Sequence, residues 1–563
     1  MKKFLFIILN LNLIYNISLN EIKKENQNLR AQFSDKPKLI ESSEIKSSVL
    51  DNGVIDLDSD YIITRISWVK RESYKYNYLL GIFEGANDPS FKDVIPLGMI
   101  KDDESLELIN YININTPFSY KYIRYIPPNK NNSDITPIKI YGYKKSEFPE
   151  NLKEKKNFQA TNLPLISIYT ENLEEITEKR IKLNCKILIV NKGIIEINET
   201  AKINVRDETK AYLSPKFPYS IEFSSRQKVL GLEGKYKKWE LISNYFDRSL
   251  LRNSLALKLS ELMKFEYTVR CIPVDVILNG NFKGNYYICD NIGVGKNRIN
   301  IKNNNLNENY TNDNDGGYLL EIDAEYYNGK KHFKTDKGIF GKILYPKEEK
   351  ITPEQENYII NKLNTLEKEV YNGKFKNIDL ETYSKQFLLE EFCGDLLHIY
   401  SSFYLYKKIG NDKFYFGPVW DFDTAFDNDK RLIPTNEKPK FCFNYYSASG
   451  SMKNFTNELI RNKYSFEYIK NMWENLCNAV LNERILIDFL EEQKIYLEES
   501  AKLNFWKYDN FVEEYDPYGF NWGMRDFLFG RKGENFELSV EVLKDYILKR
   551  FDSLSKLLHN PNI

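Results

Sequence analysis

The segment Gly417-Pro418-Val419-Trp420-Asp421-Phe422-Asp423 sets two carboxylates two residues apart around an aromatic ring. In extended backbone, residues i and i+2 share a face, so Asp421 and Asp423 are expected to converge while Phe422 turns toward the core. Such a pair suits Mg²⁺ when substrate phosphates and water complete the coordination. A tight turn whose aspartates cap backbone N–H groups is the other reading of the same text. Several other chemistries lack material. The three histidines, His332, His398 and His559, are too scattered for a histidine-based zinc site or a Ser-His-Asp triad. A GxxxxGK[ST] phosphate loop, a His-Arg-Asp and an Asp-Phe-Gly are all absent.

Elements able to position such a pair begin well upstream. Strand-like runs occur at Leu165–Tyr169, Cys185–Val190 and Ala201–Val205, and two period-two runs flank a Gly/Asn turn between Val274 and Ile288. Helical spacing follows from Ser249 to Met263, with Asp247 as the expected N-cap, then over Asp379–His398 and Ser539–Leu558. Strands first and helices later predict a two-lobed α+β domain over 162–559. Ahead of it, residues 47–145 carry short strand-like runs separated by Pro/Gly/Asn clusters, which predicts an antiparallel β-sandwich. Residues 146–161 read as a linker and 21–46 as a flexible lead-in. Residues 1–20, with Lys2 and Lys3 before an apolar run, read as a secretory signal peptide. An uncleaved anchor is the alternative; beyond this segment no stretch reaches membrane-spanning length.

Composition narrows the function classes. The 563 residues are 42% hydrophobic, enough for packed cores in two or more domains. Lys+Arg and Asp+Glu number 80 each, so no global attraction to nucleic acid is expected. The six cysteines contain no CxxC pair, which argues against a zinc ribbon and leaves one or two disulfides open. Downstream of the N-terminal apolar segment, four Asn-x-Ser/Thr acceptors start at Asn131, Asn198, Asn309 and Asn454 and are glycosylation candidates in an exported chain.

Two family resemblances follow. Gly81-Ile82-Phe83-Glu84-Gly85-Ala86-Asn87-Asp88-Pro89, with Tyr122-Ile123-Arg124-Tyr125, resembles a discoidin-type, galactose-binding-like jelly roll, which implies glycan binding through loops; a purely structural sandwich is the alternative. The span Lys238–Asn253 resembles the helix entry of the CotH kinase family of spore-coat proteins, an atypical branch of the protein kinases. Asp275–Tyr287, Gly316–Asp323, Tyr404–Lys407 and the Trp-Asp-Phe-Asp segment resemble its later blocks, in order. Pro215-Lys216-Phe217-Pro218-Tyr219 is similar to that family's Pro-Lys-Lys-Pro-Tyr strand.

The resemblance implies a kinase-like fold, ATP with Mg²⁺ or Mn²⁺, and phosphate transfer to Ser/Thr-rich secreted or coat proteins. It makes Lys216 the lysine facing the nucleotide phosphates and Arg206 part of the phosphate-facing turn. Trp420 becomes a wall of the adenine pocket, and Asp421 and Asp423 become metal ligands. A solvated strand lysine and a core indole are the alternatives for Lys216 and Trp420. The chain also departs from the family pattern. Asp395-Leu396-Leu397 stands where Asn-x-Asp is usual, so the catalytic position falls on Leu397 and Asp395 becomes the candidate catalytic acid. Reaching that position needs a shift of about one strand step, ~3.3 Å, large for a positioned group. Asp207 and Glu208 replace neutral residues of the phosphate-facing turn, opposing an incoming triphosphate. A secreted kinase and a non-catalytic extracellular or coat scaffold are therefore both expected outcomes.

Overall fold

A computed structural model describes residues 38–39, 54–70, 78–101, 109–128, 135–148, 156–206, 214–302, 313–323, 331–395, 401–428, 440–445, 451–510 and 535–560. The signal peptide, most of the lead-in, Asp207, Glu208, Leu397, Asn131 and Asn309 lie outside the described residues. The chain divides into two compact units, 1–158 and 159–563.

The first unit consists of β1 (Lys38–Leu39), β2 (Val54–Lys70), β3 (Ile82–Ala86), β4 (Ile95–Met99), β5 (Ile109–Asn113), β6 (Tyr120–Ile126) and β7 (Ile135–Lys144). They join antiparallel in the order β1-β7-β2-β6-β3-β4, with β5 also on β2. Strand β2 pairs β6 through its first residues and β5 and β7 through its second half, with a register break between Asp56 and Tyr61. One long strand with a register break thus joins β6 to β5 and β7 in a single seven-stranded sheet. Aromatics fill that core, and Tyr120 closes onto bare backbone: a Cβ at Gly85 would lie 2.6 Å from its ring.

The second unit opens with a closed barrel. Its strands are β8 (Leu165–Thr170), β9 (Leu183–Asn191), β10 (Ile194–Val205), β11 (Tyr219–Gln227), β12 (Tyr236–Ile242), β13 (Cys271–Leu278) and β14 (Asn281–Asp290). Their order is β10-β11-β12-β14-β13-β8-β9, antiparallel except for β8 against β13. The expected β13–β14 hairpin forms on Asn279 and Gly280, both at positive φ (51° and 74°), as a tight hairpin turn requires. Inward residues of each strand, among them Ile187, Ile203, Ile221, Trp239 and Leu241, make the barrel core. Each such side chain contributes roughly 1.5–3 kcal/mol on burial.

A five-stranded sheet follows, ordered β16-β17-β15-β18-β19: β15 (Tyr318–Ile322), β16 (His332–Lys334), β17 (Phe340–Tyr345), β18 (Phe403–Lys407) and β19 (Phe414–Phe416). Besides a single helical turn at Cys442–Tyr445, the described helices are α1 (Arg252–Leu262), α2 (Pro353–Tyr371), α3 (Leu380–Cys393), α4 (Lys453–Arg461), α5 (Lys463–Ala479), α6 (Glu483–Asn510) and α7 (Phe536–His559). They share one apolar core with the sheet. The fold is α+β, with α1 already set between β12 and β13 and strands and helices interleaved again after residue 318. Asp247 is not the N-cap of α1, whose N-cap is Leu251. Its carboxylate still reaches the helix start, accepting from Arg252 N–H at 2.8 Å and pairing with the Arg252 guanidinium.

Candidate nucleotide and metal site

The acidic pair sits on a turn. Asp421 has a left-handed φ of 74°, and Phe426 and Asp427 follow at 54° and 57°. The expected convergence of i and i+2 on one face of extended backbone therefore does not apply, because these residues wind back on themselves. Phe422 is core, as expected, at 1% exposure; Asp423 is buried and Asp421 half-buried.

The first turn of α1 dictates this shape. Asn253 Oδ1 accepts from Phe422 N–H at 2.8 Å while its Nδ2 donates to Asn244 Oδ1 at 2.9 Å. Arg252 Nε donates to the Ala425 carbonyl at 3.1 Å. Asn428 Nδ2 ties the loop to itself through Asp423 O (2.7 Å) and to the segment before α1 through Phe246 O (2.9 Å). Phe426 N–H donates to Cys393 O, at the end of α3, at 2.6 Å. This last bond fastens the loop to the helix that ends at Gly394, so α1 and α3 hold it from two sides.

A cationic centre faces the loop. Arg206, just past β10, lies 4.8 Å over the Trp420 ring, with Nε 3.6 Å from the Glu240 carboxylate. Glu240 also accepts from Ser220 Oγ at 2.5 Å and Asn291 Nδ2 at 2.6 Å. On the sheet, Tyr404 of β18 stands in register with Glu321 of β15 and donates to it at 2.8 Å. Burial pushes the Glu321 carboxyl above the usual range, opposed by the Tyr404 hydroxyl and the Lys342 ammonium. Burial raises the Tyr404 hydroxyl well above its ordinary value, and the charges of Glu321, Arg206 and Asp421 all act on it. Arg206, Trp420, Asp421, Glu321 and Tyr404 thus form one neighbourhood. The Trp420 indole N–H is buried and has no hydrogen-bond partner among the described residues. Among the described residues no three His, Cys, Asp or Glu side chains gather as a metal cage. Asp421 brings one half-buried carboxylate to this neighbourhood, a ligand type that a hard cation takes beside phosphate and water, and Asp423 is buried two residues on.

Residues 203–554, more than half of the sequence, match the model of the CotH kinase protein family. The chain belongs to that family. The matched span runs from the end of β10 into α7 and contains every residue of the neighbourhood just described. No curated protein matches significantly. A carbohydrate-binding module, CBM62 from Clostridium thermocellum Xyl5A, is similar at 24% identity over 18% of this chain and 81% of that chain. Its TM-score of 0.16 is too low to carry any argument.

Two sequence-predicted residues of this CotH-family region have other surroundings. Lys216 is buried: its ammonium donates to Asn504 Oδ1 of α6 at 2.8 Å and to the Asn285 carbonyl of β14, 4.7 Å above the Tyr286 ring. Burial drives it well below the usual lysine value, with the Asp275 charge opposing. Asp395 is buried beside Glu390, and the two carboxyls share a hydrogen bond. Burial, then the Asp395 charge, holds Glu390 well above the carboxylate range, so Glu390 is the proton donor of the pair.

Sequence reasoning missed Glu240, Glu321 and Tyr404 as site residues. The available signal was acid within apolar strand text, since Trp239-Glu240-Leu241 and Leu320-Glu321-Ile322 each bracket a carboxylate with core residues.

Proposed function

We propose that the region is an atypical, two-lobed protein kinase of the CotH type, transferring phosphate from ATP to Ser/Thr of a secreted or coat protein. The convergence of Arg206, Trp420 and the clamped acidic loop carries this reading. Arg206 offers a cation for phosphate oxygens, and Trp420, core at 4% exposure with the Arg206 guanidinium over its ring, is proposed to wall the nucleotide pocket from behind that cation. Asp421 and Asp423 would hold Mg²⁺ or Mn²⁺, which supplies charge neutralisation on the phosphates. The acceptor hydroxyl attacks the γ-phosphorus, the bond to the bridging oxygen breaks, and Asp395 takes the hydroxyl proton. Lys216 is proposed to support the phosphate-facing turn that precedes it.

A non-catalytic scaffold is the second reading, favoured by the buried engagement of Asp395 with Glu390 and of Lys216 with α6. Export through the secretory pathway is supported by the basic-apolar start and by the Cys271–Cys289 disulfide, a bond that persists in oxidising compartments. Exposed Asn198 and Asn454 are the proposed glycosylation acceptors. Glycan attachment is assigned to the first unit, where Tyr111 is exposed and carries the Arg65 guanidinium 4.2 Å over its ring.

The test is purified protein with γ-labelled ATP, Mg²⁺ or Mn²⁺ and a Ser-rich acceptor. Transfer that disappears in Asp421→Ala and Asp423→Ala supports the kinase. Transfer surviving both substitutions removes the acidic pair from the chemistry. A wild type showing neither transfer nor thermal stabilisation by ATP with either metal leaves the scaffold.

A further inference from the structure

A separate cavity, of about 980 Å³, lies between the β11–β12 hairpin, the 291–298 segment and the turn after β17. Its lining carries eight lysine and arginine side chains against three carboxylates, although the whole chain is balanced. Lys235, Lys237, Lys238, Lys296 and Lys347 form an exposed cationic rim. The floor is apolar: Ile292, Val294, Leu319 and Leu344 line it and belong to a small packed cluster with Ile299 and Tyr406.

One lining group is an unmet donor. Arg298 is 7% exposed, stacks 3.7 Å over the Tyr236 ring, and donates to Lys238 O at 3.0 Å and Asp290 at 3.4 Å. Its Nε has no hydrogen-bond partner among the described residues. A buried N–H left over on a guanidinium in a cation-rimmed cavity fits a carboxylate ligand, since a buried donor costs free energy until it is met.

We propose that this groove docks an acidic peptide segment of a partner protein, with Asp or Glu side chains on the lysine rim and apolar side chains on the floor. The volume stands at the upper end of small-ligand pockets, room for several residues of extended chain. A nucleic-acid strand fits less well. The Tyr236 face on which a base could stack is already covered by Arg298. The groove also borders the nucleotide neighbourhood, because its lining residue Asn291 donates to Glu240, the carboxylate that holds Arg206. Docking does not depend on phosphate transfer, so the two readings fail separately.

The experiment is fluorescence anisotropy of the full chain with a labelled peptide of alternating Glu and Leu, without nucleotide. Saturable binding that weakens with added salt is expected, and the combined Lys235→Glu, Lys296→Glu and Lys347→Glu variant should weaken it by about tenfold. These lysines are exposed, so the variant should melt where the wild type does; if it does not fold, each single reversal should weaken binding in the same direction. Equal affinity of reversed and wild-type protein overturns the proposal. So does displacement of the peptide by Mg²⁺-ATP, or equally tight binding of oligo-dT or phosphatidylserine vesicles.

Discussion

Asn253 and Phe422 lie 169 positions apart, and the side chain of the first accepts the backbone N–H of the second at 2.8 Å. That bond sits beside the left-handed Asp421 and fixes where both acidic side chains leave the chain. A backbone N–H buried at this depth has no water to turn to, so the Asn253 carboxamide is a requirement of the loop's shape.

Asn253→Ala should destabilise the second unit by about 1–3 kcal/mol, the cost of leaving a buried donor unmet. Urea unfolding measures this. Phosphate transfer in folded Asn253→Ala should fall further than the stability loss explains, because the carboxylates are no longer aimed. Full transfer in that variant would show that the clamp is structural alone.

Asp395→Asn should lower phosphate transfer by roughly 10²–10⁴-fold if its carboxylate receives the hydroxyl proton. Adding Leu397→Asp to that variant should recover transfer, since it puts an acid at the position that the resemblance to the CotH family makes catalytic. Undiminished transfer in Asp395→Asn alone takes this residue out of the chemistry.

The Glu390–Asp395 pair predicts a pH dependence of stability. Glu390 titrates well above the ordinary value of 4.5 in the folded chain, so the folded state keeps a proton that the unfolded state releases. Stability from this group is therefore present at low pH and is lost as pH rises above 4.5 toward the folded value. Glu390→Gln should flatten that slope in urea unfolding measured across pH. An unchanged slope would place the proton elsewhere.

Cys271 and Cys289 face each other across β13 and β14 and close a loop of 18 residues. Chain entropy for a loop of that size gives about 3 kcal/mol of stabilisation. Reduction under native conditions should lower the melting temperature, and alkylation after unfolding without reductant should label Cys185, Cys393, Cys442 and Cys477 but not this pair.

The sequence by itself marked β8, β9, the second half of β10, the β13–β14 hairpin with its Asn279–Gly280 turn, and helices α1, α3 and α7. It read Lys238–Ile242 as a helix entry where β12 runs, and left α2, α4, α5 and α6 unmarked. The features it marked are written in short-range patterns: alternation, helical spacing, turn residues and ordered motif blocks. Tertiary structure decided the rest. Nothing local to Trp420–Asp423 announces a left-handed aspartate, because the force that imposes it arrives from Asn253 and Arg252 on α1. Cysteine spacing left the pairing open until strand register set Cys271 opposite Cys289. Lys216 read as a lysine facing phosphate or water, and only the packing of α6 on β14 shows its ammonium buried between Asn504 and Asn285. The physical reason is common to all three: local text sets backbone preference, whereas burial and hydrogen-bond partners come from residues far away in the chain.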